Sequence, residues 1–175
     1  NLDFNGDGKI GKPISYTDIE TSGSIHLLKD QSGNGYIKIN GASPISLSYN
    51  GQAWGNNTWS GLSMLAAEKI NGSNTVLWKS DSGTFYTSQH ADDGKWINGT
   101  WSNIDSNKAE VDFKTDFNND GSIGVSHTNI ETNGLTHLLK DQAGNGYLKI
   151  NGGSPIALSY NGKAWGNHTW SDLSM

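Results

Sequence analysis

The sequence predicts an all-β chain of tandem antiparallel meander sheets, sandwich-like or blade-like in arrangement, joined by calcium-binding loops. Three observations carry this. Short apolar runs alternate with Gly/Asn/Ser turns along most of the 175 residues. Large aromatics, among them 7 tryptophans, return at regular spacing. A long segment is written twice almost unchanged.

The elements follow from local pattern. His26–Lys29 (HLLK) reads as a strand, and Asp30–Gly35 (DQSGNG) as a turn in which glycine supplies positive φ. Tyr36–Ile39 alternates apolar and polar residues and is the return strand. Asn40-Gly41 marks a hairpin, Ile45–Tyr49 alternates again, and Asn50-Gly51 turns the chain once more. Helical periodicity is nearly absent; the one candidate is the short stretch Leu62–Ile70 (LSMLAAEKI).

Residues 21–64 and 132–175 align at an offset of 111, with 34 of 44 positions identical. Upstream, DFNGDGKIG at 3–11 matches DFNNDGSIG at 116–124 at an offset of 113, so a linker absorbs two residues and reads as a surface loop. A fainter repeat lies inside the unit: residues 23–36 resemble 72–86, and WGNNTWS at 54–60 resembles WINGTWS at 96–102. The expected organisation is a loop linker at 1–15, a full unit at 16–112 with halves 18–64 and 66–112, a second loop linker at 113–128, and half of a second unit at 129–175. The chain opens at Asn1 without an initiator Met and shows no signal-peptide pattern, as a piece of a longer protein would.

The chemistry sits in the two acidic loops. Asp3, Asn5 and Asp7, and likewise Asp116, Asn118 and Asp120, occupy positions 1, 3 and 5 of D-x-N-x-D-G. Their oxygens converge when the backbone curls, and glycine at position 6 permits the curl. The carbonyls of Lys9 and Ser122 at position 7 add a fourth ligand, and Ile10 and Ile123 are expected to anchor the loops in apolar surface. An all-oxygen donor set suits Ca²⁺ over zinc or copper. Position 12 departs from the pattern, being Ile14 in one loop and His127 in the other, so Glu20 and Glu131 downstream are the candidates to complete the shells. A loop without the bidentate acid binds weakly, on the order of 10⁻⁴ M.

Trp54/Trp59, Trp96/Trp101 and Trp165/Trp170 form three spaced pairs. Repeated aromatics usually fill cores. The polar residues Asn56, Asn57 and Thr58 between the first pair leave room for one exposed ring, which as a stacking platform would bind a polysaccharide or cell-surface glycan. Trp78, within VLWK, is expected in the core. His26 and His137 occupy equivalent strand positions and read as half-buried structural residues; His90, His127 and His168 share no such role.

Composition excludes several classes. There is no cysteine, hence no disulfide and no thiolate chemistry. A net charge of −5 without a basic stripe argues against nucleic acid. No apolar run reaches the ~20 residues of a membrane helix, so no membrane insertion is expected. No nucleophile motif such as G-x-S-x-G is present, and an enzyme is not the expected reading.

The tryptophan-containing repeat, the segment NGSNTVLWK at 71–79 and the run EVDFKTDFNNDGSIG at 110–124 together resemble the tryptophan-rich domain first noted at the C-termini of Synechocystis proteins. The resemblance covers essentially the whole chain and implies a secreted bacterial protein with an accessory or surface role. The D-x-N-x-D-G halves also resemble a dockerin loop, without its second helix and position-12 acid. The expectation is therefore a calcium-stabilised extracellular structural or adhesive module. A carbohydrate-binding module is the alternative, and self-association through the lone half-unit at 129–175 is a further expectation.

Overall fold

A computed structural model of the chain describes residues 14–167 and residue 169. It divides into two compact units, Asn1–Thr115 and Asp116–Met175. The loop carrying Asp3, Asn5, Asp7 and Lys9 lies outside the described residues, as do His168 and Trp170.

The first unit holds two antiparallel meanders. β1 (Tyr16–Glu20), β2 (Ile25–Asp30), β3 (Gly35–Ile39) and β4 (Ile45–Ser46) pair in chain order. A small hairpin of β5 (Ser48–Tyr49) and β6 (Gln52–Ala53) follows. β7 (Leu62–Ile70), β8 (Ser73–Ser80), β9 (Phe85–His90) and β10 (Ser102–Ile104) form the second meander, and α1 (Ser106–Phe113) comes after it. The second unit repeats the first pattern with β11 (His127–Glu131), β12 (Thr136–Asp141), β13 (Gly146–Ile150), β14 (Ile156–Ala157), and a hairpin of β15 (Ser159–Tyr160) and β16 (Lys163–Ala164). Among the described residues the chain is all-β apart from α1, and none of the sheets is closed.

The turn chemistry explains the hairpins. Asn40-Gly41 has φ of 46° and 76°, Asn50-Gly51 48° and 76°, and Asn71-Gly72 49° and 84°. Two successive left-handed residues match the twist of the flanking strands, and Asn-Gly adopts them at least cost. The first strand of each meander slips register at one place: between Asp18 and Glu20, between Met64 and Ala66, and between Asn129 and Glu131. Each slip is a bulge that bends its strand.

Two readings change. Leu62–Ile70 is not a helix but the strand β7. Its helix-favouring residues are overridden by an eight-pair ladder to β8, which buries Met64, Ala66 and Ala67. The helix instead falls at Ser106–Phe113, where Asp105 accepts the N–H groups of Asn107 and Lys108 at 3.0 and 3.3 Å. Lys114, at φ 54°, ends it in the left-handed region. Ile45–Tyr49 is not one strand either. It breaks at Leu47, whose N–H donates to the Gly35 carbonyl and whose carbonyl accepts from Trp54, both at 2.9 Å.

The core of the first unit lies between its two meanders. Ile25, Leu27, Ile37, Leu47 and Trp54 come from the first, and Met64, Ala67, Val76 and Trp78 from the second. Gly35 makes this closeness possible. A Cβ there would sit 2.6 Å from Met64 Sδ and 2.9 Å from the Trp54 carbonyl oxygen.

Candidate functional site

Two places carry the chemistry read from the sequence: an aromatic cluster in the first unit and the acidic loop that opens the second.

The aromatic cluster grows from the strand VLWK. Trp78 on β8 is fully buried, and Trp54, delivered by the turn after β6, lies against it with ring centroids 4.8 Å apart. Trp101 joins at 5.9 Å from Trp54 and stacks on Tyr86 at 5.1 Å. Trp96 meets Tyr49 at 5.0 Å. Trp59 is the exception. It is 41% exposed and stands nearly perpendicular to Trp54 and Trp101, at 74° and 82°. The structure thus splits the Trp54/Trp59 pair into a core ring and a rim ring, while Trp96 and Trp101 are half-buried. Trp165, in the second unit, is 37% exposed. The indole N–H groups of Trp54 and Trp96 are buried without a hydrogen-bond partner.

Beneath the tryptophans runs a buried polar chain that the sequence analysis did not single out. Trp78 Nε1 donates to Ser88 Oγ at 2.8 Å; Ser88 Oγ lies 2.9 Å from His90 Nε2; His90 Nδ1 lies 3.0 Å from the Gly94 carbonyl. Burial pulls the His90 pKa from 6.5 down to about 4, against an upward pull from the Gly94 carbonyl. The imidazole is therefore neutral, with Nδ1–H donating to Gly94 and Nε2 left to accept from Ser88. The signal available in sequence was period two: Trp78 and Ser88, His90 share a sheet face across β8 and β9.

In the acidic loop Asp116 is the hub. Its Oδ1 accepts the N–H of Asn119 at 2.6 Å and of Asp120 at 3.3 Å, and its Oδ2 accepts Gly121 N–H at 2.9 Å. Asn118 Oδ1 accepts Asp120 N–H at 2.8 Å, and Asp120 Oδ1 accepts Ser122 N–H at 2.9 Å. These bonds hold the backbone in successive Asx turns. Ile123 does not anchor the loop; it is among the exposed large apolar residues. Glu131 spends an oxygen on the N–H of Asn133, and Glu20 on that of Ser22. Among the described residues, no three His, Asp or Glu side chains gather as a metal-ligating group, so Glu131 does not join Asp116 and Asp120 in one.

A second polar feature, unforeseen from the sequence, recurs in both units. Asp30 accepts Asn34 N–H at 2.9 Å, Asn34 Nδ2 at 2.8 Å and the Tyr36 hydroxyl at 3.3 Å. Asp141 does the same with Asn145 at 2.8 and 2.8 Å and Tyr147 at 3.1 Å. Burial pushes the Asp30 carboxyl up, but the Asn34, Ser32 and Tyr36 donors outweigh it and hold it below its ordinary 3.8. Facing these tyrosines edge-on are Tyr16 at 4.9 Å from Tyr36 and His127 at 4.4 Å from Tyr147.

The sequence profile of the tryptophan-rich Synechocystis species C-terminal domain matches residues 25–124, more than half of the chain. The match runs from β2 to the glycine that closes the acidic loop. No curated protein and no solved structure gives a significant match.

Proposed function

The chain belongs to the tryptophan-rich Synechocystis species C-terminal domain family, and from that premise we propose a calcium-stabilised structural repeat module of a secreted or cell-surface protein, with an adhesive role. One observation carries the metal: Asp116 gathers three backbone N–H groups and curls the loop on which Asn118 and Asp120 sit. The donors are hard oxygens, which suit Ca²⁺. The two aspartates with Asn118 and the Ser122 carbonyl would hold the ion, and water would fill the remaining positions. The matching residues Asp3, Asn5, Asp7 and Lys9 make a second such loop in sequence. In each loop the ion would supply charge neutralisation and a fixed chain direction, not bond-making chemistry. A structural role also accords with how the first unit spends its aromatics, since Trp54 and Trp78 are sealed in the core. The test is thermal unfolding with millimolar Ca²⁺ and after chelation; identical curves in both would end this reading.

A second reading rests on Trp59. Its ring is 41% exposed and follows the exposed amide of Asn57, a pairing that suits the apolar face and hydroxyls of a sugar. Binding of a polysaccharide that Trp59→Ala abolishes would favour it over the purely structural role.

A further inference from the structure

The inner face of β2 and β3 is sealed in the first unit. Ile25, Leu27, Ile37, Leu47 and Trp54 are all buried there, covered by Met64, Ala67, Val76 and Trp78 of the second meander. Their counterparts 111 residues on are Thr136, Leu138, Leu148, Leu158 and Trp165. None of these is buried. Around them Ile150, Ile156 and Tyr160 are exposed, where Ile39, Ile45 and Tyr49 are partly buried against the core. The other face of the same strand is ordinary: Leu139 is as well buried as Leu28.

Two finer comparisons locate what is missing. Gly23 and Gly134 have nearly the same φ, +95° and +96°. A Cβ on Gly23 would strike the Glu68 carboxylate of β7, whereas a Cβ on Gly134 would meet nothing within 4 Å. Ser48 is bridged to the chain after β9, donating to Gly94 O at 3.0 Å and accepting from Trp96 N–H at 2.9 Å. Among the described residues its counterpart Ser159 has no such bridge.

We infer that the inner face of β12 and β13 is a docking surface for a β-meander of the β7–β10 type, carried on a separate segment of polypeptide. The first unit of this chain is the template: it shows the same strands bound, the partner that binds them, and the residues that meet. The chain's own residues 62–104 do not serve, because Val76, Leu77 and Trp78 are already fully buried at home. A second copy's residues are engaged in the same way.

One corner sets the partner's specificity. Ser24 Oγ donates to Glu68 Oε1 at 3.1 Å, but the corresponding residue is Leu135, which is 76% exposed. Against leucine the buried carboxylate keeps the Lys69 N–H at 3.2 Å but loses the Ser24 donor, and that loss is costly. The partner therefore carries an apolar residue where β7 carries Glu68.

The chain contains no cysteine, so Ile156→Cys takes a single environment-sensitive dye at the rim of this face. The probe is a synthetic polypeptide of residues 62–104, with and without Glu68→Leu. Expected is a saturable one-to-one dye shift, about tenfold tighter for the leucine form, lost when the dyed chain also carries Leu148→Asp. A second arm removes dependence on peptide solubility. Residues 65–112, with Glu68→Leu, are fused after Met175, which aligns with Met64. Hydrogen exchange in β12 and β13 should then slow. Failure of both arms overturns the inference, as does protection that survives Leu148→Asp. A dimer of the chain alone that the peptide does not displace assigns the face to a second copy, and likewise overturns it.

Discussion

Trp54 and Trp78 stack with centroids 4.8 Å apart and planes 24° from parallel. One ring follows the first meander and the other sits inside the second, so this contact is the centre of the seam between them. Truncating a fully buried tryptophan costs about 3–5 kcal/mol. Trp54→Ala and Trp78→Ala should each lower the stability of the first unit by that order in urea unfolding. Trp165→Ala, at the matching but exposed position, should cost less than about 1 kcal/mol. Equal effects at positions 54 and 165 would contradict the seam.

Stability should depend on pH through His90. The unfolded imidazole protonates near 6.5 and the folded one only near about 4. Between these values the unfolded chain holds more protons, so stability falls as pH falls. The contribution is complete above 6.5, and about 3 kcal/mol of it is gone by pH 4. Asp30 and Asp141 act in a lower window, because their folded pKa values lie below 3.8. Their contribution is present above 3.8 and is lost as pH falls through those lowered values. Equilibrium unfolding from pH 7.5 to 4 should show the histidine slope, and His90→Gln should flatten it.

Gly23→Ala and Gly134→Ala separate backbone strain from crowding. Both positions lie near φ +95°, so both substitutions carry about 1 kcal/mol of left-handed strain. Only at Gly23 does the new methyl also displace the buried Glu68 carboxylate and break its bond from Ser24. Gly23→Ala should therefore be the more damaging by a further ~1–2 kcal/mol. Calorimetry on the two variants checks the difference.

Calcium should raise the unfolding temperature. With a dissociation constant on the order of 10⁻⁴ M, 10 mM Ca²⁺ is about a hundredfold excess and stabilises by about 2.7 kcal/mol per site. Asp116→Asn should remove one loop's share and leave that of the loop at 3–11. A melting curve that ignores both the ion and the substitution would leave the loops as simple Asx turns.

The fold was legible where a local rule governs it. The Asn-Gly dipeptides at 40–41 and 50–51 named two turns, and alternation in Tyr36–Ile39 named a strand. Leu62–Ile70 misled because its strand conformation is set by pairing with β8 rather than by its own propensity. The short helix at Ser106–Phe113 escaped because eight residues hold little more than two turns of periodicity. The acidic loop was readable because its bonds span only two to five residues. The Trp78–Ser88–His90 chain was not, because it forms across two strands whose register no local pattern fixes.

The Asp30 and Asp141 side chains fasten two hairpins whose inner faces differ in burial, yet the fastenings have nearly the same lengths. A latch made within six residues asks nothing of distant chain. Each meander can thus be shaped as it leaves the ribosome, and the joining of sheets becomes a later, separate step in assembly. Variation at the inner face then alters what a meander mates with, and leaves how it forms untouched.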